Sequence, residues 1–419
     1  PAYNGFNGTP NRFFRNVAGG AADTPFFVDE SSASGLADIG WGFAASACDF
    51  DDDGDDDIYV ANDFGKNALL ENRSTPGHPR FVNIAKASGT EDEGYGMGAS
   101  WGDYDGDGRW DLHVTDYWTP YRWILRDRRW PMPKMPGAAL VRPMMARIMT
   151  RRSRGDGLFR NRGGRVFTRT SEESGVADGG WAWGTEFVDL DGKGREDLLV
   201  VNGMWDAAAG GVDDEIAFWN GMGREGVAFH DGVWGGIDFG ANGMASRTPK
   251  KLFWNRGDGT FEERAWVEGF DTLENARGLA YGDLDGDGAP EIVVSCFRGP
   301  VLLYRNGWGD AAGSGRVRVR LGMSAGFNRE ALGAVVRLWS GGRMQLREVR
   351  AGSSYLSQSS RELLFGIGSE AQAERLEVRW PDGRRETLND VRAGSRVLWN
   401  EGETPRVLTG AEAKGRISR

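Results

Sequence analysis

The chain has 419 residues, with 61 Asp and Glu against 51 Lys and Arg, a net charge of −10, and 64 glycines. That length sets a prior of two or three domains, and no run of about twenty apolar residues offers a membrane span. Two cysteines, Cys48 and Cys296, far apart and at non-equivalent positions, argue against a disulfide.

The first recurring element is FFRN at 13–16, two large apolar residues, a spacer and an asparagine. It returns as LLEN at 69–72, LFRN at 158–161, LFWN at 252–255 and LYRN at 303–306. Each of the first four precedes an acidic loop by about thirty residues.

The first such loop is DFDDDGDDDIYV at 49–60. Asp49, Asp51 and Asp53 alternate, Gly54 permits a sharp turn, and Asp57 closes the loop. This D-x-D-x-D-G-x-x-D spacing is like the first nine positions of an EF-hand loop, where positions 1, 3, 5 and 9 supply side chains or a water and position 7 a carbonyl. Here Asp55 would be the carbonyl donor. Hard oxygen ligands in this number suit Ca²⁺ better than Mg²⁺.

Three more loops repeat the spacing. The second has Asp103, Asp105, Asp107 and Asp111, with Arg109 as carbonyl donor. The third has Asp189, Asp191 and Asp197, with Lys193 at the third ligand position; its ammonium would neutralise the loop, and a weak or empty site is expected. The fourth has Asp283, Asp285, Asp287 and Glu291. Each loop runs into a short apolar strand, and the flanks lack the helices of an EF-hand. A solvated acidic turn explains one copy but not four with one spacing.

One unit therefore reads as strand, turn, strand, glycine-rich connection, strand, acidic loop, strand. Short strands at a period near 45–50 residues signal propeller blades. Insertions are expected at 117–155 and 203–248. The first carries ten Arg or Lys and one acid, a net of +9, which leaves −19 on the rest. Its tryptophans and arginines suit an anionic partner or a membrane surface, or a loop capping the propeller face, which is the reading preferred. From about residue 316, RVRVRL, GAVVRLW, MQLREV, ELLFGIG and RLEVRW read as close strands without acidic loops, a β-sandwich. The expected architecture is all-β: propeller-type repeats over 1–315, four or five recognisable blades that do not close a ring alone, a sandwich over 316–401, and a polar tail over 402–419.

The repeats resemble FG-GAP/VCBS repeats, the propeller repeats also found in integrin α chains. NREALGAVVRLWSGGRMQLREVRAGSSYLSQSSRELLFGIGS at 328–369, followed by LEVRWPDG, is similar to the ASPIC/UnbV domain, through Asn328, Gln345, Arg347, Glu348, Gly352, Tyr355, Gln358, Phe365, Gly366, Trp380 and Gly383 among others. Together they resemble the cartilage acidic protein family and its bacterial relatives. The resemblance implies an exported calcium-binding propeller, usually without assigned chemistry, and no catalytic residue carries over. Calcium at millimolar levels outside a cell would fill weak sites, so an extracellular or periplasmic place is expected. The start at Pro1, at what reads as the end of a preceding blade, suggests a fragment lacking N-terminal blades or completed by another chain. The missing leader then says nothing about compartment.

Other signals are weaker. GASWG at 98–102 matches a nucleophile elbow, but Ser100 falls on a strand feeding the second loop rather than on a strand-to-helix turn. His78, His113 and His230 show no metal or triad spacing, and Arg154-Gly155-Asp156 spells RGD but abuts a strand. The reading preferred is a non-enzymatic calcium-binding scaffold for a protein or glycan partner, with nucleic acid disfavoured. The alternative is a secreted enzyme, polysaccharide-active or a secondary-metabolite cyclase, with Trp181, Trp183, Trp205, Trp219 and Trp234 lining a cleft.

Overall fold

The computed structural model describes residues 8–17, 26–63, 65–118, 153–206, 245, 247–309, 313, 315–326 and 328–414. The insertions expected at 117–155 and 203–248 fall mostly outside these residues, as do His230, Trp219 and Trp234.

The chain is nearly all β. A two-stranded sheet pairs β1 (Phe14–Asn16) with β2 (Phe27–Asp29). Three four-stranded antiparallel sheets then follow in chain order. They are β3 (Trp41–Cys48), β4 (Asp57–Asp63), β5 (Ala68–Asn72) and β6 (Phe81–Asn83); β7 (Ala99–Gly102), β8 (Asp111–Val114), β9 (Gly157–Asn161) and β10 (Phe167–Arg169); and β11 (Ala182–Val188), β12 (Asp197–Asn202), β13 (Lys251–Asn255) and β14 (Phe261–Glu263). A three-stranded sheet holds β15 (Ala276–Gly282), β16 (Glu291–Cys296) and β17 (Val301–Tyr304). The first strands β3, β7, β11 and β15 adjoin one another in turn, the radial arrangement of a propeller.

The unit read along the sequence straddles two of these sheets. The acidic loop is the hairpin joining a sheet's first and second strands, with Cys48 opposite Asp57 and Gly102 opposite Asp111. The asparagine-ended strand is the third strand of that same sheet, with Ile58 opposite Leu70 and Leu112 opposite Phe159. The linkers between sheets hold an element the sequence reading passed over as glycine-rich connection, a single helical turn at Ser31–Ser34, Ala85–Ser88, Ser171–Ser174 and Ala265–Glu268. Each ends on a glycine in the left-handed region. At Gly89, with φ +86°, an added Cβ would lie 2.8 Å from the Phe167 carbonyl oxygen of the next sheet.

Beyond residue 315 two four-stranded sheets face each other. One orders β21 (Leu363–Gly368), β18 (Gly315–Gly322), β24 (Arg396–Asn400) and β25 (Arg406–Leu408). The other orders β20 (Arg343–Glu348), β19 (Val335–Ser340), β22 (Gln372–Arg379) and β23 (Arg385–Arg392). Val317, Val319, Phe365, Leu338, Leu376, Trp380 and Trp399 fill the space between them. This sandwich is joined to the repeats by a shared core, because Val335 and Leu346 pack with Trp101, Trp110 and Leu112. Burial of such side chains stabilises by roughly 1.5–3 kcal/mol each.

Candidate metal centres

Each acidic loop is folded by its own first aspartate. Asp49 accepts from the backbone N–H of Asp53 and of Gly54, both at 3.0 Å. Asp103 accepts from Asp107 and Gly108, Asp189 from Gly192, Lys193 and Gly194, and Asp283 from Gly286 and Gly288. The sixth-position glycines Gly54, Gly108, Gly194 and Gly288 all have positive φ, which is why the motif needs glycine there.

Among the described residues three groups of carboxylates then converge: Asp49, Asp51 and Asp53; Asp103, Asp105 and Asp111; and Asp283, Asp285 and Glu291. Within each group one oxygen per residue lies within 4.8 Å of the others. Asp57, Asp107 and Asp287 stand outside these triads. Among the described residues several oxygens at the loops are buried without a hydrogen-bond partner, namely Asp51 Oδ1, Asp55 Oδ1, Asp57 Oδ2, Asp111 Oδ2 and Glu291 Oε1. A buried orphan carboxylate oxygen is costly in a folded protein. Burial, with the neighbouring carboxylates adding to it, pushes Asp57 up to about 8 and Asp55 up to about 6. Burial and then Glu196 push Asp103 up to about 7, and Asp111 is raised well above its usual range. Such all-oxygen sets fit a hard dication of the Ca²⁺ type, whose charge would offset these shifts.

The third loop is built differently. Lys193 Nζ lies 2.7 Å from Asp191 Oδ2 and over the faces of Trp308 and Trp254. Both oxygens of Asp197 are occupied, one by the N–H of Asn255 at 2.8 Å and one by that of Leu190 at 3.3 Å. No carboxylate triad forms there among the described residues.

The asparagine that ends each third strand has a defined task. Its backbone N–H binds the ninth loop position, Asn72 to Asp57, Asn161 to Asp111 and Asn255 to Asp197. Its side-chain amide reaches the preceding sheet's loop. Asn161 Nδ2 donates to the carbonyls of Trp110 and Phe50, both at 3.1 Å, and Asn255 Nδ2 to those of Glu196 and Tyr104. Asn306 Nδ2 donates to the Leu190 carbonyl at 3.0 Å. One asparagine thus ties its own acidic loop to the previous one. The repetition marked these residues in the sequence, but their role needed the neighbouring sheet.

Arginines surround the loops, and reading the sequence missed them. Arg379 Nη2 of the sandwich lies 2.5 Å from Asp49 Oδ2 and Arg318 Nη1 2.5 Å from Asp283 Oδ2, both pairs deeply buried. Arg337 pairs with Asp52 at 2.9 Å and Arg347 with Glu196 at 3.3 Å. Within the repeats Arg165 holds Asp51 and Glu71, Arg160 holds Asp105, and Arg305 faces Asp285. Arginines on alternate positions, as in RVRVR at 316–320, were the available signal.

The sandwich also sends residues 351–361 between β20 and β21 along the first strands of the sheets. Ser354 bridges Ala99 of β7, and its Oγ accepts from Thr185 N of β11. Ser357 and Ser359 accept from Leu279 N and Tyr281 N of β15. Tyr355 packs on Phe43 of β3 and on Trp183. The polar centre of this contact is Glu186, which accepts from Ser100, Ser353 and Ser359; burial, against those hydrogen bonds, pushes it up to about 7.

The weaker sequence signals resolve around these contacts. Ser100 is buried on β7 and donates to Glu186. His113 is buried with Nδ1 2.8 Å from Thr185 Oγ1, and burial lowers it to about 3. Asp156 is fully buried and accepts from Asp116 N, so the RGD tripeptide is not displayed. Trp181 and Trp183 are packed against Tyr117 and Tyr355, and only Trp205 among the described members of that cluster is exposed.

Comparison with known proteins locates an ASPIC and UnbV domain at residues 325–406 and FG-GAP-like repeats at 49–114 and 237–294. Cartilage acidic protein 1 of Xenopus tropicalis is 26% identical over 295 residues, covering 62% of this chain and 41% of its own length. The Homo sapiens protein is 26% identical over 295 residues, at 62% and 40%. The chain thus spans about two fifths of the length of these relatives. An Agrocybe aegerita lectin specific for non-reducing terminal N-acetylglucosamine aligns over 92% of this chain and 89% of its own, at 15% identity and a TM-score of 0.33. The V. cholerae biofilm matrix protein Bap1 aligns over 97% and 62%, at 10% identity and a TM-score of 0.27.

Proposed function

We propose that this chain, which carries FG-GAP-like repeats and an ASPIC and UnbV domain, is a calcium-stabilised binding scaffold that works outside the cell or in the periplasm. The observation that carries the reading is the set of buried, partnerless carboxylate oxygens at the first, second and fourth loops. The first aspartate of each loop is satisfied by backbone N–H groups, and the unpaired oxygens are what a dication would take. The triads, with Asp57 beside the first, would hold the ions, which stiffen the loops and cancel their charge. At a calcium concentration a hundred times the dissociation constant, each site stabilises the fold by about 2.7 kcal/mol. Millimolar calcium meets that condition for weak sites and cytosolic calcium does not, which supports export.

The segment at 351–361 supports a scaffold over an enzyme. Residues 351–361 lie along β7, β11 and β15, with Tyr355 against β3, where an axial substrate would have to sit. Binding then falls to exposed loops and to the sandwich, with a protein or glycan as partner.

The test is bound calcium per chain by elemental analysis, with melting curves before and after a chelator. About three ions and a large chelator-induced fall in melting temperature are expected. Calcium-free protein with an unchanged melt would reduce the loops to acidic turns, and the argument for export would fall with them.

A further inference from the structure

We infer that the third acidic loop has exchanged cation binding for anion binding, and that with the sandwich it forms a cleft for a small hydroxylated carboxylate such as a uronic acid. The inference narrows the scaffold reading above and rests on it for the glycan class of ligand.

The loop has Lys193 where its sisters have Asp53, Asp107 and Asp287, and Arg195 two residues on. Its own carboxylates are already satisfied by backbone N–H groups and by Lys193. The sandwich closes over it, with Arg343 Nη2 donating to the Lys193 carbonyl at 2.9 Å and Gly368 N to that of Gly192 at 2.8 Å. Between loop and sandwich lies a cleft of about 370 Å³ lined by Lys193, Arg195, Arg343, Ser340, Gln345 and Glu370, among others. That size is at the small end for a ligand pocket.

Two guanidinium groups, of Arg195 and Arg343, line the cleft with one carboxylate, Glu370, while the Lys193 ammonium is held by Asp191. Arg195 and Arg343 are exposed, and their hydrogen bonds go to carbonyls, of Arg256 and Lys193, leaving most of each fork open. A guanidinium fork matches a carboxylate in a planar, bidentate pair. Ser340 and Gln345 are 5% and 6% exposed, and among the described residues Ser340 Oγ and Gln345 Oε1 find no hydrogen-bond partner. These buried unpaired groups point to a ligand with hydroxyls to exchange. Among the described residues Ile367 is the one apolar side chain in the lining, so an apolar acid gains little there.

The experiment is a ligand-observed NMR titration of the calcium-loaded full chain with glucuronate, glucose and inorganic sulfate. Glucuronate should bind at least about tenfold more tightly than glucose or sulfate, since only it offers both carboxylate and hydroxyls. The double variant Arg195→Ser/Arg343→Ser should lose about tenfold or more of that affinity. Calcium content, read on the same samples, should not change. If the double variant does not fold, Lys193→Asp carries the test: it removes the ammonium that neutralises Asp191 and adds a second negative charge at the cleft, and it should lose glucuronate. Equal binding of glucose, equal binding of sulfate, or unchanged affinity in the variants overturns the assignment. Because calcium is counted independently, failure here with a normal calcium count leaves the scaffold reading standing, whereas failure of both removes both.

Discussion

Replacing Asn255 by Ala isolates the tie between consecutive acidic loops. The amide donates to the carbonyls of Tyr104 and Glu196 at 2.7 and 2.8 Å, and its Oδ1 accepts from Gly257 N at 2.8 Å. Asn255 is buried, so the variant leaves two carbonyls without donors and no water to replace them. Three lost hydrogen bonds at about 1 kcal/mol each, with added desolvation of the stranded carbonyls, give roughly 3–4 kcal/mol. Asn72 is the internal control. Its amide nitrogen makes one exposed bond, to the Asp56 carbonyl, and its Oδ1 accepts from Ser74 N at 3.0 Å, so Asn72→Ala loses two bonds rather than three and should cost about 1–2 kcal/mol. Urea denaturation of both variants in calcium gives the comparison. Equal losses would refute the claim that the asparagine acts by stitching sheets rather than by capping its own turn.

Arg379→Ala should cost about 3–5 kcal/mol, because it strands the buried Asp49 carboxylate at the foot of the first loop; denaturant midpoints measure it. Asp111→Asn should remove one bound calcium by elemental analysis, while Asp197→Asn, in the loop whose ninth-position oxygens are already occupied, should leave the count unchanged. Glu186 should make stability fall as pH rises. Its folded value of about 7 lies above the unfolded 4.5, so the native state holds a proton between those values that the unfolded chain has lost. Its contribution is full below about pH 4.5 and is lost by about pH 7, up to about 3 kcal/mol. Glu186→Gln, measured by denaturation across that range, should flatten the decline; an unchanged slope would show that another group carries it.

Spacing along the chain made much of this molecule legible. The acidic loops, the glycines that turn them, the apolar strands after them and the asparagine-ended strands are local patterns set by backbone geometry and by the chemistry of oxygen ligands. They sit in the structure where their periodicity put them, and the unit read from them was out of phase with the sheets only because pairing across strands decides where a sheet begins. Lys193 was legible as an exception for the same reason, since a cation in a ring of carboxylates has one obvious local consequence.

Contacts between distant segments left no such mark. Arg379 meets Asp49, and Ser353 and Ser359 meet Glu186, across more than a hundred residues, and Arg318 meets Asp283 across 35; each pair joins the sandwich side of the chain to the repeats. By itself the sequence determined that the chain is a β repeat with loops of concentrated negative charge, because each loop's geometry is closed within nine positions. The tertiary structure alone decided how that charge is shared out. Which carboxylate meets an arginine, which keeps a buried oxygen without a partner, and which loop meets the sandwich at a cleft all depend on how the sandwich docks, through desolvation and pairing that no single segment contains.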